Sequence, residues 1–213
     1  MLTEHTLTDA LRTIASALET PVIFILLLLI AAAIVMLGML IAECFTERRY
    51  INRDLPWLLS ELEAQNEPLY DIISNAKLLK RQRSILLTIC GKTDLSPLKR
   101  EALAGDLIAA EKARYELRIK ITDLVMKLGP MFGLLGTLIP LGPGIIALGR
   151  GDTYTLSTSL LTAFDTTITG LIAAALATVL SAVRKRWYAR YMGQLGAIAE
   201  SLLEAMEEND ETA

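Results

Sequence analysis

A carboxylate lies in the middle of a long apolar stretch in the second half of the sequence. Asp165 belongs to the apolar run 156–183, and four threonines lie within four residues of it: Thr162, Thr166, Thr167 and Thr169. Carboxylate and hydroxyl oxygens relay protons and coordinate hard cations. Because an ionised carboxylate at the middle of a bilayer costs about 3 kcal/mol on insertion scales, it normally faces a bundle interior or a wet cavity. These residues predict an ion pathway.

A second apolar run, 128–149, contains a single hydroxyl, Thr137. At 1.5 Å per residue, Thr137 lies about 16 Å from Leu148 near the end of its run, and Asp165 lies about 14 Å from Leu156. Two antiparallel helices joined by a short turn place these groups at one depth. A structural alternative stays open, because threonines in membrane helices also bond to their own helix or hold helices together.

Two stripes of polar or small residues run along the last apolar segment. Thr158, Thr162, Asp165 and Thr169 recur at helical spacing and form one polar stripe. Gly170 lies between this stripe and a second one, which consists of small residues: Thr167, Ala174, Thr178 and Ser181. Hydroxyls clustered at one depth favour an ion pathway more strongly than any single threonine does.

Three apolar runs predict an all-α, polytopic membrane protein with long cytoplasmic helical extensions. The chain is 53% hydrophobic, and its mean hydropathy of +0.43 is too high for an ordinary soluble domain. The runs 21–42, 128–149 and 156–183 are each long enough to cross a hydrocarbon core of about 30 Å. The first run is not typical of a signal peptide, because acidic residues precede it.

The distribution of Lys and Arg predicts the orientation of the spans. Segment 43–127 holds 15 of them, and "RKRWYAR" follows the third run, whereas the other side holds only Arg12 and Arg150. The cationic residues nearest the span ends in that segment are Arg48, Arg49, Arg53, Lys120 and Lys127. The positive-inside rule therefore places arm 1–20 and turn 150–155 outside, and segments 43–127 and 184–213 in the cytoplasm.

The segments outside the spans are helical by pattern. Aliphatic residues recur at three- and four-residue spacing: Leu58, Leu59, Leu62, Leu69, Ile72 and Ile73. Ser96 and Pro97 are typical of a helix start, which predicts one helix from there into the second span. The third span is expected to continue towards Met206, and the polar tail 207–213 is expected to fray. Gly151 and Asp152 are expected to form the turn between spans.

Glycines and prolines indicate how the second span packs. Gly129, Gly133 and Gly136 give it a small-residue face for close helix contact, with Gly170 on the third span. Pro140 and Pro143 each remove a helical hydrogen bond, which predicts a bend or an opening in the outer half of the span. A packing kink and an ion-binding carbonyl are both consistent with these prolines.

The remaining composition excludes several functions. Two cysteines, Cys44 and Cys90, and one histidine, His5, give neither a disulfide framework nor a Cys/His metal site. The spans contain no second carboxylate and no histidine, so an intramembrane enzyme is not expected. No cofactor and no metal site are predicted, and the net charge of -3 gives no basic surface for nucleic acid.

Two motifs resemble the MotA/TolQ/ExbB proton-channel family. "GLLGTL" at 133–138 resembles the family's "GLLGTV", and "AFDTTITGL" at 163–171 resembles its "AL..T..GL". The resemblance covers residues 125–190. The three-span layout is that of TolQ and ExbB, whereas MotA-type subunits have four spans. Two departures mark a divergent branch: Thr162 stands where many members have Glu, and Asp165 stands where most are uncharged.

The resemblance implies an ion-conducting motor subunit in the inner membrane. It implies a homopentamer around a single-span partner of the TolR/ExbD/MotB type, in which H⁺ or Na⁺ flow drives mechanical work. Thr137 and Thr167 map onto the family's threonines that face the partner's aspartate, and Asp165 becomes a relay or coordinating group. Membrane lipid surrounds the spans. The alternative is a non-conducting membrane scaffold whose polar stripes only hold helices together.

Overall fold

The computed structural model describes residues 2–47, 55–64 and 68–212. Within these ranges the chain forms helices and no strand, which confirms the all-α prediction. Three stretches are long and apolar enough to cross a membrane. Arg48, Arg49 and Arg53 lie outside the described residues. The helices are α1 Leu2–Ala17, α2 Glu19–Glu47, α3 Leu55–Ala64, α4 Leu69–Asn75, α5 Lys80–Cys90, α6 Pro97–Gly149 and α7 Thr153–Thr212.

The chain divides into two compact units, and both α6 and α7 contribute to each. The first, here the membrane unit, comprises Met1–Met39 and Lys120–Ala182. The second, here the core unit, comprises Leu40–Ile119 and Val183–Ala213. The predicted apolar runs fall almost entirely in the membrane unit.

In the membrane unit, α2 has one packed face and one exposed apolar face. The hydroxyl of Thr122 on α6 donates a hydrogen bond to the sulfur of Met36 on α2 at 3.6 Å. The packed face recurs at helical spacing and consists of Val22, Leu26, Leu29, Ala33 and Met36. The exposed face is equally apolar, as expected for contact with lipid tails, and includes Phe24, Leu27, Leu28, Ile34 and Val35.

Helix α6 begins where the sequence predicts. The backbone amides of Lys99 and Arg100 donate to the Ser96 carbonyl, and Pro97 takes the first helical position. The helix then continues through Pro130, Pro140 and Pro143 without a break. Of the bend or opening predicted for its outer half, the opening is not observed, and the bend stays a prediction.

A tight turn joins α6 to α7. Gly151 adopts φ 77°, and the amide of Asp152 donates to the Ala147 carbonyl at 3.0 Å, which is the hydrogen bond of a Schellman motif. The Asp152 carboxylate then caps α7 by accepting from the hydroxyl and the amide of Thr155, at 2.5 and 3.0 Å. Those hydrogen bonds lower the pKa of the Asp152 carboxyl.

The core unit is organised around large aliphatic side chains. The predicted periodicity of α3 and α4 places Leu58, Leu62, Ile72 and Ile73 in its interior. The Gln82 side chain on α5 reaches the Tyr191 carbonyl of α7 at 3.1 Å. Burial among apolar neighbours raises the pKa of the Cys90 thiol, as for a structural cysteine. The other large members of this cluster are Leu86, Ile89, Leu195, Ile198 and Leu202.

Two segments outside the apolar runs are more ordered than the sequence predicts. Helix α7 extends to Thr212, and the buried Arg100 guanidinium pairs with Asp210, so the predicted fraying of 207–213 is wrong over the described residues. The N-terminal arm forms α1, which is separated from α2 by Leu18 alone.

Polar and aromatic side chains also form a cluster in the core unit. Glu43 on α2 accepts from Arg118 on α6 at 3.0 Å and from the Tyr188 hydroxyl on α7 at 3.5 Å. The ring of Tyr188 packs against Tyr115 with centroids 4.3 Å apart. The cluster therefore joins three helices.

Candidate functional site

Helices α6 and α7 approach to backbone contact within the membrane unit. A Cβ atom on Gly129 would lie 2.6 Å from the carbonyl oxygen of Gly170, and one on Gly170 would meet the Gly129 carbonyl in the same way. A Cβ on Gly133 would lie 3.6 Å from the Cα of Thr167. The glycine face predicted from sequence therefore lies in the helix contact, where only glycine allows this approach.

Thr166 fills the contact next to these glycines. Its side chain is buried, and a Cβ on Gly136 would lie 2.7 Å from the Thr166 Cβ. Its hydroxyl has one proton, which it shares between the Ala163 carbonyl at 2.9 Å and the Thr162 carbonyl at 3.0 Å. Thr166 is therefore a packing residue of the helix pair.

Most other hydroxyls of the predicted pathway bond to their own helix. Thr137 donates to Leu134 at 2.7 Å, and Thr169 donates to the carbonyl of Asp165 at 2.7 Å. This is the back-bonding that the structural alternative describes. Each oxygen still keeps its lone pairs for a ligand. Thr158, Thr162 and Thr178 bond in the same way.

Thr167 differs from all of these threonines. Its hydroxyl oxygen is buried and has no hydrogen-bond partner, the one such hydroxyl among the described residues. Its usual acceptor, the Ala163 carbonyl, already receives the Thr167 amide of the helix ladder and the Thr166 hydroxyl at 2.9 Å. Because a carbonyl has two lone pairs, the Thr166 hydroxyl competes with the Thr167 hydroxyl for that acceptor. The Thr167 hydroxyl is thus buried without a hydrogen-bond partner among the described residues.

Asp165 points away from Thr167. Two positions along a helix correspond to a rotation of about 200°, so the two side chains leave α7 on opposite sides. The Asp165 side chain is exposed, and it shares its side of the helix with Thr158 and Thr162. The structure therefore divides the predicted pathway residues between two faces of α7.

A carboxylate that the sequence analysis did not single out also belongs to this unit. Ser181 is buried on α7, and its hydroxyl donates to the Asp123 carboxylate on α6 at 2.5 Å. Asp123 lies five residues before the run 128–149, and Ser181 lies near the end of the run 156–183. The sequence did offer a signal for this pair: an acid stands just before one span, and a serine stands near the end of the antiparallel span. Across the described residues, no group of acids, cysteines or histidines is arranged to hold a metal ion.

Three candidate spans and a close helix pair are features of an integral membrane protein. A sequence profile of the MotA/TolQ/ExbB proton channel family matches residues 69–197, more than half of the 213 residues. The chain belongs to the MotA/TolQ/ExbB proton channel family. A comparison with curated proteins found no match. Because this family consists of channels, membership supports transport rather than catalysis.

Proposed function

We propose that this chain is the ion-conducting subunit of a motor complex and turns the H⁺ or Na⁺ motive force into mechanical work. The observation that carries the proposal is the buried, unpartnered hydroxyl of Thr167, which lies inside the family-matched region. Leaving a buried polar group unsatisfied costs about 1–3 kcal/mol, so a partner outside the chain is expected to satisfy it. A transported ion, its water, or a partner's carboxylate supplies that contact.

Thr137 and Thr167 line the path in this proposal. Thr137 lies one residue after Gly136, and Thr167 adjoins Gly133, so both flank the close contact of α6 and α7. The resemblance maps them onto the family's threonines that face the aspartate of a single-span partner. The proposed partner is therefore of the TolR/ExbD/MotB type.

The exposed carboxylate of Asp165 favours an oligomer in which copies of this chain form a ring. An exposed carboxylate facing lipid tails costs about 3 kcal/mol, and a neighbouring copy or a wet cavity removes that cost. A homopentamer, as the family resemblance implies, brings the Asp165 face of one α7 against its neighbour. Asp165 then acts as a relay at the boundary between copies. The resemblance implies the inner membrane, and the distribution of Lys and Arg favours an N-terminus outside and a C-terminus in the cytoplasm.

The test is ion flux into proteoliposomes that contain this subunit and its single-span partner. Thr167→Val keeps the shape of the side chain and removes the oxygen. A hydrogen bond to a charged group contributes about 1.5–3 kcal/mol, so flux should fall about 10- to 100-fold. Thr178→Val is the matched control, because that hydroxyl already donates to Ala174 at 2.7 Å. Equal flux in the two variants would rule out the path at Thr167.

Thr166→Val gives a sharper test of the same geometry. Without its hydroxyl, the Ala163 carbonyl regains a lone pair, and Thr167 turns to donate to it. Flux should then fall partway towards that of Thr167→Val, although Thr166 does not line the path. Full flux in Thr166→Val would show that the hydrogen bond from Thr166 to the Ala163 carbonyl does not affect the Thr167 hydroxyl.

A non-conducting scaffold is the second candidate function, and the back-bonded threonines favour it. In a scaffold, Asp165 only joins neighbouring copies. Asp165→Asn then changes the stability of the oligomer and leaves flux unchanged. In the motor subunit, Asp165→Asn abolishes ion-coupled work while the oligomer, followed by native mass spectrometry, stays assembled.

A further inference from the structure

A groove of about 770 Å³ opens on the membrane unit. The end of α1, the start of α2, the last turns of α6 and the first turn of α7 line it. Its wall is apolar and is built from Leu138, Ile139, Ile145 and Ile146. Apart from Gly142, its chain neighbours and the nearby backbone of α6, no atom lies within 4 Å of the position that a Cβ on Gly142 would take, so the groove has open space above this glycine. A long apolar chain fits such a wall.

Charged groups of both signs line the same groove. The guanidinium groups of Arg12 and Arg150 contribute two positive charges, and within the described residues neither forms an ion pair. Glu19 and Asp152 contribute two carboxylates. The Asp152 carboxylate is engaged with Thr155 as the cap of α7, whereas Glu19 lies in the first turn of α2. The groove therefore offers two cations and one uncommitted anion beside an apolar wall.

The position of α1 places these charges at the edge of the apolar region. Leu7, Leu11 and Ile14 lie on one face of α1 and are 66, 68 and 57% exposed. Helical hydrogen bonds continue through Leu18, from its amide to the Ile14 carbonyl at 3.1 Å and from the Val22 amide to the Leu18 carbonyl at 3.0 Å. The end of α1 therefore prolongs α2 beyond the start of the apolar run, where lipid headgroups are found.

We propose that this groove binds one phospholipid with a primary ammonium headgroup, of the phosphatidylethanolamine class. Arg12 and Arg150 bind the phosphate, since guanidinium groups match phosphate oxygens in geometry and charge. Glu19 accepts from the ammonium group. One acyl chain lies along the apolar wall over Gly142. A phosphatidylglycerol satisfies the arginines but leaves Glu19 without a cation, so it binds more weakly.

Native mass spectrometry of the full chain, stripped of lipid in detergent, tests this binding. Synthetic phosphatidylethanolamine and phosphatidylglycerol are titrated in parallel. The double variant Arg12→Gln/Arg150→Gln should bind phosphatidylethanolamine about tenfold more weakly or worse, since hydrogen bonds to charged groups are lost. The control, Lys99→Gln/Arg114→Gln, removes two charges from the core unit and should bind as the natural chain does. Equal binding by the two double variants would overturn the proposal.

Two further variants test the headgroup and the acyl chain separately. Glu19→Gln should abolish the preference for phosphatidylethanolamine while phosphatidylglycerol binding stays the same. Gly142→Leu should block both lipids, whereas Gly105→Leu, at another open glycine of α6, should block neither. A natural chain that binds phosphatidylglycerol as tightly as phosphatidylethanolamine would contradict the assignment of Glu19.

The identity of the occupant is tested in membranes by photo-crosslinking. Benzoylphenylalanine replaces Leu138 in the groove wall, and irradiation is followed by intact mass analysis. An adduct with the mass of a phospholipid supports the proposal. A crosslinked dimer or an adduct with another protein would show that a polypeptide occupies the groove, and would overturn it.

Discussion

The two compact units hold their helices together in different ways. In the core unit the buried contacts are made by large aliphatic side chains such as Leu62, Ile73 and Leu202. In the membrane unit, α6 and α7 come to backbone contact at Gly129 and Gly170. Many large apolar side chains there are exposed, among them Phe24, Leu27 and Leu28 of α2. In water, burial of apolar surface stabilises by about 25 cal/mol per Å². Between lipid tails and protein this gain vanishes, so close backbone approach stabilises the membrane unit instead.

The largest expected effect comes from breaking the aliphatic packing. Leu62 is fully buried, so Leu62→Ala should lower the free energy of unfolding by about 2–5 kcal/mol. Leu98→Ala is the control, because Leu98 is 77% exposed and its loss leaves no cavity. Chemical unfolding of both variants in detergent measures the difference. If both unfold at the same denaturant concentration, the core unit does not depend on this packing.

The next effect comes from breaking the glycine contact. The Cβ in Gly170→Ala would meet the backbone carbonyl of Gly129, which cannot turn aside as a flexible side chain does. Overpacking of this kind costs about 1–3 kcal/mol, and it should separate α6 from α7. A pair of spin labels, one on each helix, measures the separation. Gly38→Ala is the control, since no atom lies near a Cβ at Gly38 on α2. An unchanged label distance in Gly170→Ala would contradict backbone packing.

The parts of the fold that depend on local pattern were predictable from the sequence. Apolar runs, aliphatic spacing and the Ser96–Pro97 signal predicted the long helices and the start of α6. The order of the C-terminal tail was not predictable, because it rests on Arg100 and Asp210, which are 110 residues apart. Helix α1 was not predicted, although Leu7 and Leu11 recur at helical spacing.

The candidate site was predictable only in part, for a different physical reason. The sequence identifies a cluster of hydroxyls near one depth, but it does not show which hydroxyl is free. That depends on Thr166 occupying the acceptor that Thr167 would otherwise use. The pairing of Asp123 with Ser181 joins residues 58 positions apart, which no local pattern reveals.

A smaller effect is expected at the polar cluster, which shows what charge adds to the core unit. The Arg118 side chain is 51% exposed, so its ion pair with Glu43 contributes about 0–1 kcal/mol after solvent screening. A double-mutant cycle of Arg118→Gln and Glu43→Gln should give a coupling free energy in that range. Arg114→Gln is the control, because it removes an arginine of the same helix whose guanidinium lies 3.9 Å from the Glu111 carboxylate. A coupling as large as the effect of Leu62→Ala would show that charge, and not aliphatic burial, dominates this unit.

The smallest effect is expected at the turn of the membrane unit, where stabilisation comes from a single exposed cap. Asp152→Ala should lower the thermal midpoint slightly, because the Thr155 amide and hydroxyl lose their acceptor. The lowered pKa of this carboxyl means that its stabilising charge is present above the unfolded-state pKa and is lost as the pH falls through the folded-state pKa. The difference between the natural chain and Asp152→Ala should therefore shrink on acidification below about pH 4. Asp152→Asn keeps a capping oxygen without a charge, so its midpoint relative to Asp152→Ala should not change with pH. A difference that grows in acid would contradict the cap.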